Sequence, residues 1–275
     1  MRSMRRPPSA NSRNKHQGTD WSNVADWYSD HLGDAGSEYH QKVVLPGVMR
    51  LLDPKPGQQV LDIASGQGVL CRLLAGRGAC VTGVESAAPL IERARQLDAA
   101  IDPAVAALVT YFRADARDLA SAVPPQAFDS AACVLAIQNI HPIAPVFEGA
   151  ARALKPTGRL VLVMMHPCFR GPRETSWGWD ELAKVQYRRV DRYLIPRKAP
   201  IVAHPGRKNS PYTWTFHKPL EAYARALRAA GMLIDSIEEW TSHKKSDSGP
   251  RARAENVARE EIPMFMAIRA VRAPS

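Results

Sequence analysis

The segment that most constrains this chain is a short turn between an apolar strand and a helix, Asp62-Ile63-Ala64-Ser65-Gly66-Gln67-Gly68. The apolar pattern predicts a buried strand up to Ile63 and a helix from Val69 onward. Gly66 and Gly68 have no side chain, so they tolerate left-handed backbone angles and let a ligand lie directly against the main chain. Free N–H groups at the start of the helix would point towards that ligand. The turn therefore predicts a nucleotide-type binding pocket.

A dinucleotide-binding unit begins with a similar turn, but two details of this segment disfavour one. Cys71 replaces the third glycine of the G-x-G-x-x-G pattern, so the close approach of helix and sheet around a pyrophosphate is not specified. Asp62 also stands at the carboxyl end of the strand, where a carboxylate repels a pyrophosphate and attracts an ammonium or sulfonium group. A ligand with a cationic end is therefore expected.

Ordered motifs over residues 60–163 resemble the class I S-adenosylmethionine-dependent methyltransferases. The D-x-G-x-G-x-G turn of that family is matched at Asp62, Gly66 and Gly68, and Ala64 replaces its first glycine. Segments similar to the second, third, fourth and fifth strands of the family follow in the same order. The resemblance thus rests on several motifs in sequence and not on the turn alone.

The resemblance implies S-adenosylmethionine as the cofactor and a set of residues that bind it. Glu85 ends the second predicted strand, where the family's acid holds both ribose hydroxyls. Asp115 lies in 112–116, a segment that resembles the third strand, and in the family this Asp faces the adenine amino group. The expected cofactor-binding residues are Asp62, Ala64, Gly66, Gly68, Glu85, Asp115, Ala116 and Leu135. Four aromatic residues of the N-terminal segment are further candidates to close over a sulfonium, namely Trp27, Tyr28, Tyr39 and His40.

Apolar runs alternate with amphipathic segments of helical length, which predicts one α/β domain. The resemblance implies a Rossmann-like, doubly wound, seven-stranded sheet with the last strand antiparallel. We expect the domain to span 19–275, with a helical cap at 19–53 and an insertion at 166–217 over the substrate site. Residues 1–18 are basic and poor in large apolar side chains, so they are predicted to form a disordered tail.

Charge and composition argue against several other classes of protein. The net charge is +10, but much of the excess lies in the stretch before Asp20, which carries no acid, and nucleic acid is not an expected partner. No window approaches the roughly eighteen consecutive apolar residues of a membrane span. The four cysteines form no C-x-x-C pair, no metal site is expected, and a reducing cytoplasm is the expected compartment.

His166 is the candidate catalytic residue. It follows the fifth predicted strand, at the edge where open α/β sheets bind ligands. Histidine titrates near neutral pH and would serve as a general base for an acceptor that carries a proton. The alternative is a structural histidine whose hydrogen bonds hold the start of the insertion. His141 precedes Pro142 at a predicted helix start, and a structural role is favoured for it.

The insertion is rich in aromatic and arginine side chains. Segments 186–194 and 211–217 alternate at period two and are predicted to pair as an antiparallel flap. Its rings would wall a flat acceptor, and its arginines, Arg170 among them, would bind a carboxylate or phosphate. The candidate substrate-binding residues are Trp177, Trp179, Tyr187, Arg188 and Arg189. The competing interpretation is that the rings pack on their own domain and the arginines pair with neighbouring acids.

We therefore expect a methyltransferase that acts on a small-molecule acceptor, aromatic or anionic, at an oxygen, nitrogen or carbon atom. Two alternatives stay open. One is an RNA or protein methyltransferase that uses the basic tail for docking, and the other is a relative that binds the cofactor without catalysis. The identity of the acceptor and the oligomeric state are not predicted from the sequence.

Overall fold

The computed structural model describes residues 21–273, and the basic tail predicted at 1–18 lies outside them. The strands are β1 (Gln59–Ile63), β2 (Cys80–Glu85), β3 (Val109–Arg113), β4 (Phe128–Val134), β5 (Leu154–Met165), β6 (Thr175–Asp180), β7 (Val185–Val190), β8 (Arg197–Val202), β9 (Tyr212–His217), β10 (Met232–Trp240) and β11 (Phe265–Arg272). The α-helices are α1 (Ala25–Leu32), α2 (Leu45–Leu52), α3 (Val69–Ala75), α4 (Ala88–Asp98), α5 (Pro103–Ala106), α6 (Leu119–Ala122), α7 (Ala144–Ala153), α8 (Leu220–Ala229) and α9 (Ala252–Glu261).

Seven of the strands form one sheet in the order β10-β11-β5-β4-β1-β2-β3. The first five strands along the chain are parallel to one another, and β11 lies between β5 and β10, antiparallel to both. The predicted Rossmann-like, doubly wound sheet with an antiparallel last strand is confirmed. Strand order reverses between β1 and β4, which creates a crevice at their carboxyl ends.

Helices cover both faces of the sheet, so its central strands β1 and β4 are largely buried. On one face α7 and α8 pack through residues such as Phe147, Tyr223 and Leu227. On the other face α2, α3 and α4 pack through residues such as Leu52 and Leu74. The continuous apolar run at the end of β5 is buried between these two layers.

The third strand differs from its sequence prediction. It spans Val109–Arg113, whereas the resemblance had indicated 112–116. Asp115 therefore follows the strand, and its side chain accepts the Arg117 N–H at 2.8 Å to begin a short 3-10 turn, Ala116–Asp118. An aspartate that caps a turn in this way competes with strand formation, which explains the earlier end of β3.

The predicted pairing within the insertion is wrong. Segment 185–190 pairs with 175–180, and 212–217 pairs with 197–202, so the insertion contains two separate hairpins. Alternation at period two identifies a strand but not its partner, and a short connection costs less closure entropy than a long one. The Asp180 carboxylate accepts the Leu182 and Ala183 N–H groups at 2.9 Å, which stabilises the tight turn of the first hairpin.

Gly47 provides a test of how α2 packs on the sheet. A Cβ at this position would lie 2.3 Å from Cζ2 of Trp240, on β10. Gly47→Ala should therefore lower the free energy of unfolding by about 1–3 kcal/mol, despite the better helix propensity of alanine. In a Trp240→Leu background the same change should be neutral or stabilising. Equal costs in both backgrounds, measured by urea unfolding, would contradict this packing.

Candidate functional site

Two adjoining cavities open at the edge of the sheet where strand order reverses. The first encloses about 750 Å³, part of it open to solvent, and is formed by the loops after β1, β2, β3 and β4, with α1 over it. Open α/β sheets bind ligands at this edge. The first cavity is therefore the candidate cofactor site.

The turn after β1 lines the first cavity with backbone. Ala64 and Gly66 both line it and have φ angles of 57° and 56°, in the left-handed region. A Cβ on Gly66 would meet the Tyr28 ring at 3.7 Å, an ordinary contact, so the main chain there is accessible from the cavity. Ala64 holds a conformation that costs an L-residue roughly 1–2 kcal/mol, and strain of this kind concentrates at binding sites.

Gly68 supports the turn from behind and is not part of the cavity lining. It has a φ of 77° and precedes α3 directly. A Cβ on Gly68 would lie 2.1 Å from the hydroxyl oxygen of Tyr111 on β3. Glycine is thus required here both by the backbone conformation and by the close approach of the neighbouring strand.

The Asp62 carboxylate also lies behind the turn and outside the cavity lining. It accepts a hydrogen bond from the Cys71 thiol, with 3.2 Å between Sγ and Oδ2. Burial raises the pKa of Asp62 to about 7, the Cys71 hydrogen bond opposes this rise, and the negative charge of Glu85 adds to it. A cation bound in the first cavity would favour the ionised form of Asp62.

The buried Glu85 carboxylate lines the first cavity at the end of β2. Its Oε2 accepts the Gly66 N–H at 3.0 Å, and its Oε1 accepts the N–H groups of Ser86 and Ala87, both at 2.8 Å. These bonds fix the side chain between the turn after β1 and the start of α4. The Ser86 hydroxyl also donates to Oε1, at 3.3 Å, whereas Oε2 accepts only the Gly66 N–H among the described residues and has a second lone pair for a ligand hydroxyl.

The loops after β3 and β4 complete the polar lining. Asp115 pairs with Arg117 at 2.6 Å between Oδ2 and Nη2, and this hydrogen-bonded guanidinium holds the pKa of Asp115 below its usual range. Both residues line the first cavity together with Ala116. Leu135 lines it with a φ of 54°, and its carbonyl accepts the Gln138 side-chain N–H at 2.8 Å.

The segment around α1 covers the first cavity. Trp21 and Tyr28 line it, and their rings meet edge to face with centroids 5.3 Å apart. Of the four aromatic cap residues proposed from the sequence, Tyr28 lines the cavity and the other three do not. Both rings pack against Ala87 and Leu90 next to the Glu85 loop.

The first cavity fits the cofactor that the resemblance implies. Glu85 and Asp115 supply carboxylate acceptors for hydroxyl and amino groups. The open backbone at Gly66 allows close approach, and the rings of Trp21 and Tyr28 offer faces that suit a sulfonium. The residues present are therefore compatible with S-adenosylmethionine.

The second cavity adjoins the first at Asn139, which lines both. Its volume is about 670 Å³, and it lies between the loop after β4, the start of the insertion, and the β9–α8 connection. Met165, Phe216 and Tyr223 give it an apolar side. Its polar and charged lining residues are Gln138, Asn139, Arg170, Thr215, His217 and Lys218.

His166 is buried and lines neither cavity. Its Nδ1 accepts the N–H groups of Cys168 and Phe169, at 3.2 and 3.3 Å. Its Nε2 therefore carries the proton and donates to Glu239 on β10 at 2.7 Å. Burial lowers the pKa of His166, while the Glu239 hydrogen bond opposes that effect. This geometry supports the alternative in which His166 holds the start of the insertion.

The candidate substrate residues of the first hairpin lie outside both cavities. Trp177 contacts the guanidinium groups of Arg170 and Arg188, each 5.1 Å from its ring centroid. Arg188 also donates to the Phe169 carbonyl at 2.8 Å and to the Thr175 hydroxyl at 2.6 Å. These side chains therefore have partners within the domain.

The remaining candidate substrate residues, Trp179, Tyr187 and Arg189, contact charged side chains of the domain or face solvent. Arg251 on the neighbouring loop lies 4.6 Å from the Trp179 ring, and Arg189 pairs with Asp191 at 2.7 Å. Tyr187 is 46% exposed. The hairpin contacts α9 through β7. The geometry thus supports the competing interpretation, in which the rings and arginines pack on their own domain.

Several lining residues were not expected from the sequence. Arg117 and Ser86 line the first cavity because they directly follow predicted cofactor residues. Trp21 lies at the border of the basic tail, where no periodic pattern marks it. Lys218 lines the second cavity. The sequence feature that could have indicated it is its position between the aromatic end of β9 and Pro219.

Two classes of site are absent from the part of the chain that the structure describes. Within residues 21–273, no group of three or more His, Cys, Asp or Glu side chains is placed to hold a metal ion. Over the same residues, no helix is both long enough and apolar enough to cross a membrane. Cys71, Cys80, Cys133 and Cys168 are all free thiols.

Comparison with known sequences gives one family and several enzyme relatives. Residues 61–162 match the family model described as a methyltransferase domain. A demethylmenaquinone methyltransferase of Tropheryma whipplei is 29% identical over 191 residues, which cover 70% of this chain and 63% of that protein. A ubiquinone biosynthesis O-methyltransferase of Pseudomonas aeruginosa is 34% identical over 108 residues, 38% of this chain and 44% of the relative. The chain thus spans less than two thirds of the length of these relatives.

Comparison with solved structures agrees with the family match. The crystal structure of an S-adenosylmethionine-dependent methyltransferase from Mesorhizobium loti superimposes with a TM-score of 0.66 at 26% identity. The match covers 87% of this chain and all of that structure. Sequence motifs, sheet topology and both comparisons lead to the same assignment. The chain belongs to the class I S-adenosylmethionine-dependent methyltransferases.

Proposed function

We propose that this protein transfers a methyl group from S-adenosylmethionine to a small-molecule acceptor bound in the second cavity. The observation that carries this proposal is the shared lining at Asn139, which joins the candidate cofactor cavity to a second cavity with its own polar and aromatic lining. Methyl transfer needs two ligands held next to each other. Positioning of this kind lowers the activation free energy by up to roughly 7–11 kcal/mol.

Within this proposal the cofactor residues divide into two groups. Glu85 would accept the ribose hydroxyls and Asp115 the adenine amino group, while Ala64, Ala116 and Leu135 shape the lining. Asp62 and Gly68 would act from behind the turn, through charge and packing. The bound cofactor supplies an electrophilic methyl group on a sulfonium.

The acceptor side of the proposal rests on the lining of the second cavity and on the relatives. Phe216 and Tyr223 provide aromatic surface, and Gln138 has a buried Oε1 without a hydrogen-bond partner among the described residues. One relative is named as a demethylmenaquinone methyltransferase and another as a ubiquinone biosynthesis O-methyltransferase. We therefore propose a flat ring compound that carries a hydroxyl group as the acceptor.

The His141 imidazole lies near both cavities and would accept the proton that the acceptor loses. His141 lines the first cavity and stacks on Phe216, which lines the second, with ring centroids 5.3 Å apart. Burial lowers the pKa of His141, and the nearby charges of Lys218 and Arg117 lower it further. A neutral imidazole at pH 7 can accept a proton, so His141 is a better placed base than His166.

Label transfer tests the proposed function directly. The protein is incubated with an extract of its host and methyl-labelled S-adenosylmethionine, and the products are separated by mass. We expect label in a low-molecular-mass product and none with a cofactor-site variant. Label in RNA or protein would support docking through the basic tail, which lies outside the described residues. Cofactor binding without transfer would support the non-catalytic alternative. A cytoplasmic location stays part of the proposal.

Glu85→Gln should weaken S-adenosylmethionine binding at least about tenfold, because hydrogen bonds to a charged group contribute about 1.5–3 kcal/mol each. The Gln amide also places a donor against the N–H groups of Gly66 or Ser86 and Ala87. Calorimetric titration measures the effect, with the exposed Glu92→Gln on α4 as the control. An unchanged dissociation constant in a folded Glu85→Gln protein would exclude Glu85 from the cofactor site.

Asp62→Asn should change how stability depends on pH. The folded protein raises the pKa of Asp62 to about 7 from an ordinary value of 3.8, so it holds this proton more tightly than the unfolded chain does. Wild-type stability should therefore fall as pH rises from about 4 to about 7 and then level off. A shift of this size corresponds to roughly 4 kcal/mol as an upper limit.

The Asp62→Asn variant should lack this decline, so its advantage over wild type should grow between pH 4 and pH 8. Urea unfolding at both pH values gives the difference, and the exposed Asp30→Asn variant is the control. A difference between Asp62→Asn and wild type that does not vary with pH would contradict the buried, proton-binding Asp62.

His166→Ala should lower the free energy of unfolding by about 1–3 kcal/mol, because Glu239 and two backbone N–H groups lose their partner. Cofactor affinity and the acidic limb of the pH–rate profile should be retained. Glu239→Gln keeps an acceptor for the Nε2 proton and should cost less. Unchanged stability, with turnover about 100-fold lower and a flattened acidic limb, would instead make His166 a general base.

A further inference from the structure

The two adjoining cavities differ in the sign of their charge. Among the described residues, the acids Glu85 and Asp115 line the first cavity, and Arg117 is its cation. The second cavity is lined by Arg170 and Lys218, and no Asp or Glu of the described residues lines it. A cationic ligand therefore fits the first cavity, and an anionic ligand fits the second.

Lys218 is the more deeply buried of the two cations, with 7% of its surface exposed. Its Nζ donates to the Ile140 carbonyl at 3.0 Å and lies 5.2 Å from the centroid of Phe216 and 5.9 Å from that of Tyr223. No described carboxylate forms an ion pair with it. Burial lowers the pKa of Lys218 to about 8. Since an ammonium group has three N–H donors, Lys218 retains capacity for a ligand.

Arg170 is also without a carboxylate partner among the described residues. Its guanidinium donates to the carbonyls of Pro263 and Ile262, at 3.3 and 3.4 Å, and lies against the Trp177 ring. Burial lowers the pKa of Arg170 to about 10, and the nearby charge of Arg188 adds to the effect. The positive potential of this cavity is thus not neutralised by the described side chains around it.

Another cation with a largely buried side chain has its own counterion. Arg72 pairs with Asp98 at 3.1 Å, and both side chains are nearly covered. Burial of an unpaired charge is costly, whereas a paired and hydrogen-bonded charge recovers much of that cost. Arg72 has a carboxylate partner and Lys218 has none among the described residues, which indicates that a ligand supplies the counterion of Lys218.

We propose that the acceptor is a flat molecule that carries an anionic oxygen, and that Lys218 binds this oxygen as the specificity-determining residue. Phe216 and Tyr223 contact the ring of the acceptor, and Arg170 adds positive potential at the same cavity. This inference rests on the proposed function, because it assigns the second cavity to the acceptor. A carboxylate and a phenolate share the required chemistry.

Matched pairs of probes separate charge from shape. The protein, saturated with S-adenosylhomocysteine, is titrated with 2-naphthoate and 2-naphthamide, and with 2,4-dinitrophenolate and 2,4-dinitroanisole. The first pair tests a carboxylate and the second a phenolate. We expect the anion of at least one pair to bind at least about tenfold more tightly than its neutral partner, as for hydrogen bonds to a charged group.

Lys218→Met keeps the length of the side chain and removes its charge, and it should reduce this preference to less than about twofold. Lys208→Met is the matched control, because Lys208 is exposed and lies outside the lining of both cavities. The control should retain the full preference.

Equal affinities within both pairs, absence of anion binding, or a preference retained by Lys218→Met would each overturn the proposal. Affinity for S-adenosylhomocysteine is measured separately for every variant and should not change. If the wild type does not bind S-adenosylhomocysteine, the proposed function itself is contradicted. If it binds S-adenosylhomocysteine but shows no preference for anions, only the proposed role of Lys218 is contradicted. The probes require no turnover, so the two failures remain distinct.

Discussion

The parallel pairing of β1 with β2 and β4 is the interaction on which the rest of the site depends. It brings the carboxyl ends of neighbouring strands to one edge, where the turn after β1, Glu85 and the loop after β4 meet. Glu85 then joins two of these loops, because its carboxylate accepts N–H groups from Gly66 and from the start of α4. The cofactor cavity is thus a consequence of strand order, with the acid acting both as a structural link and as a ligand acceptor.

Charge divides the site into two parts. Acids lie in and behind the first cavity, while Arg170 and Lys218 line the second. Such a division suits a reaction between a cationic donor and an electron-rich acceptor, since each ligand finds its complement and the two are brought together at Asn139. The buried Asp62 and Lys218 oppose folding through desolvation and are explained by the ligands that they would attract.

The sequence predicts the parts of the fold that local chemistry determines. Gly66 and Gly68 mark the turn because few other residues tolerate their backbone angles, and Glu85 is placed by the apolar strand that it ends. Contacts between distant segments were not predictable in this way. Alternation could not show that β7 pairs with β6 and β9 with β8. No pattern at His166 revealed that Glu239, on β10, would accept its hydrogen bond. The aromatic residues of the first hairpin were expected at the substrate, but the structure packs Trp177 between two arginines of the same domain.

A crystal structure of the protein with S-adenosylhomocysteine would test the assignment of the two cavities, because it would place the cofactor product relative to both of them. We expect the ribose hydroxyls on Glu85, the adenine beside Asp115, and the sulfur facing Asn139 at the border with the second cavity. Tyr28 and Trp21 should cover the ligand. A ligand bound elsewhere, or one whose sulfur faces away from the second cavity, would contradict the assignment of the two cavities to donor and acceptor.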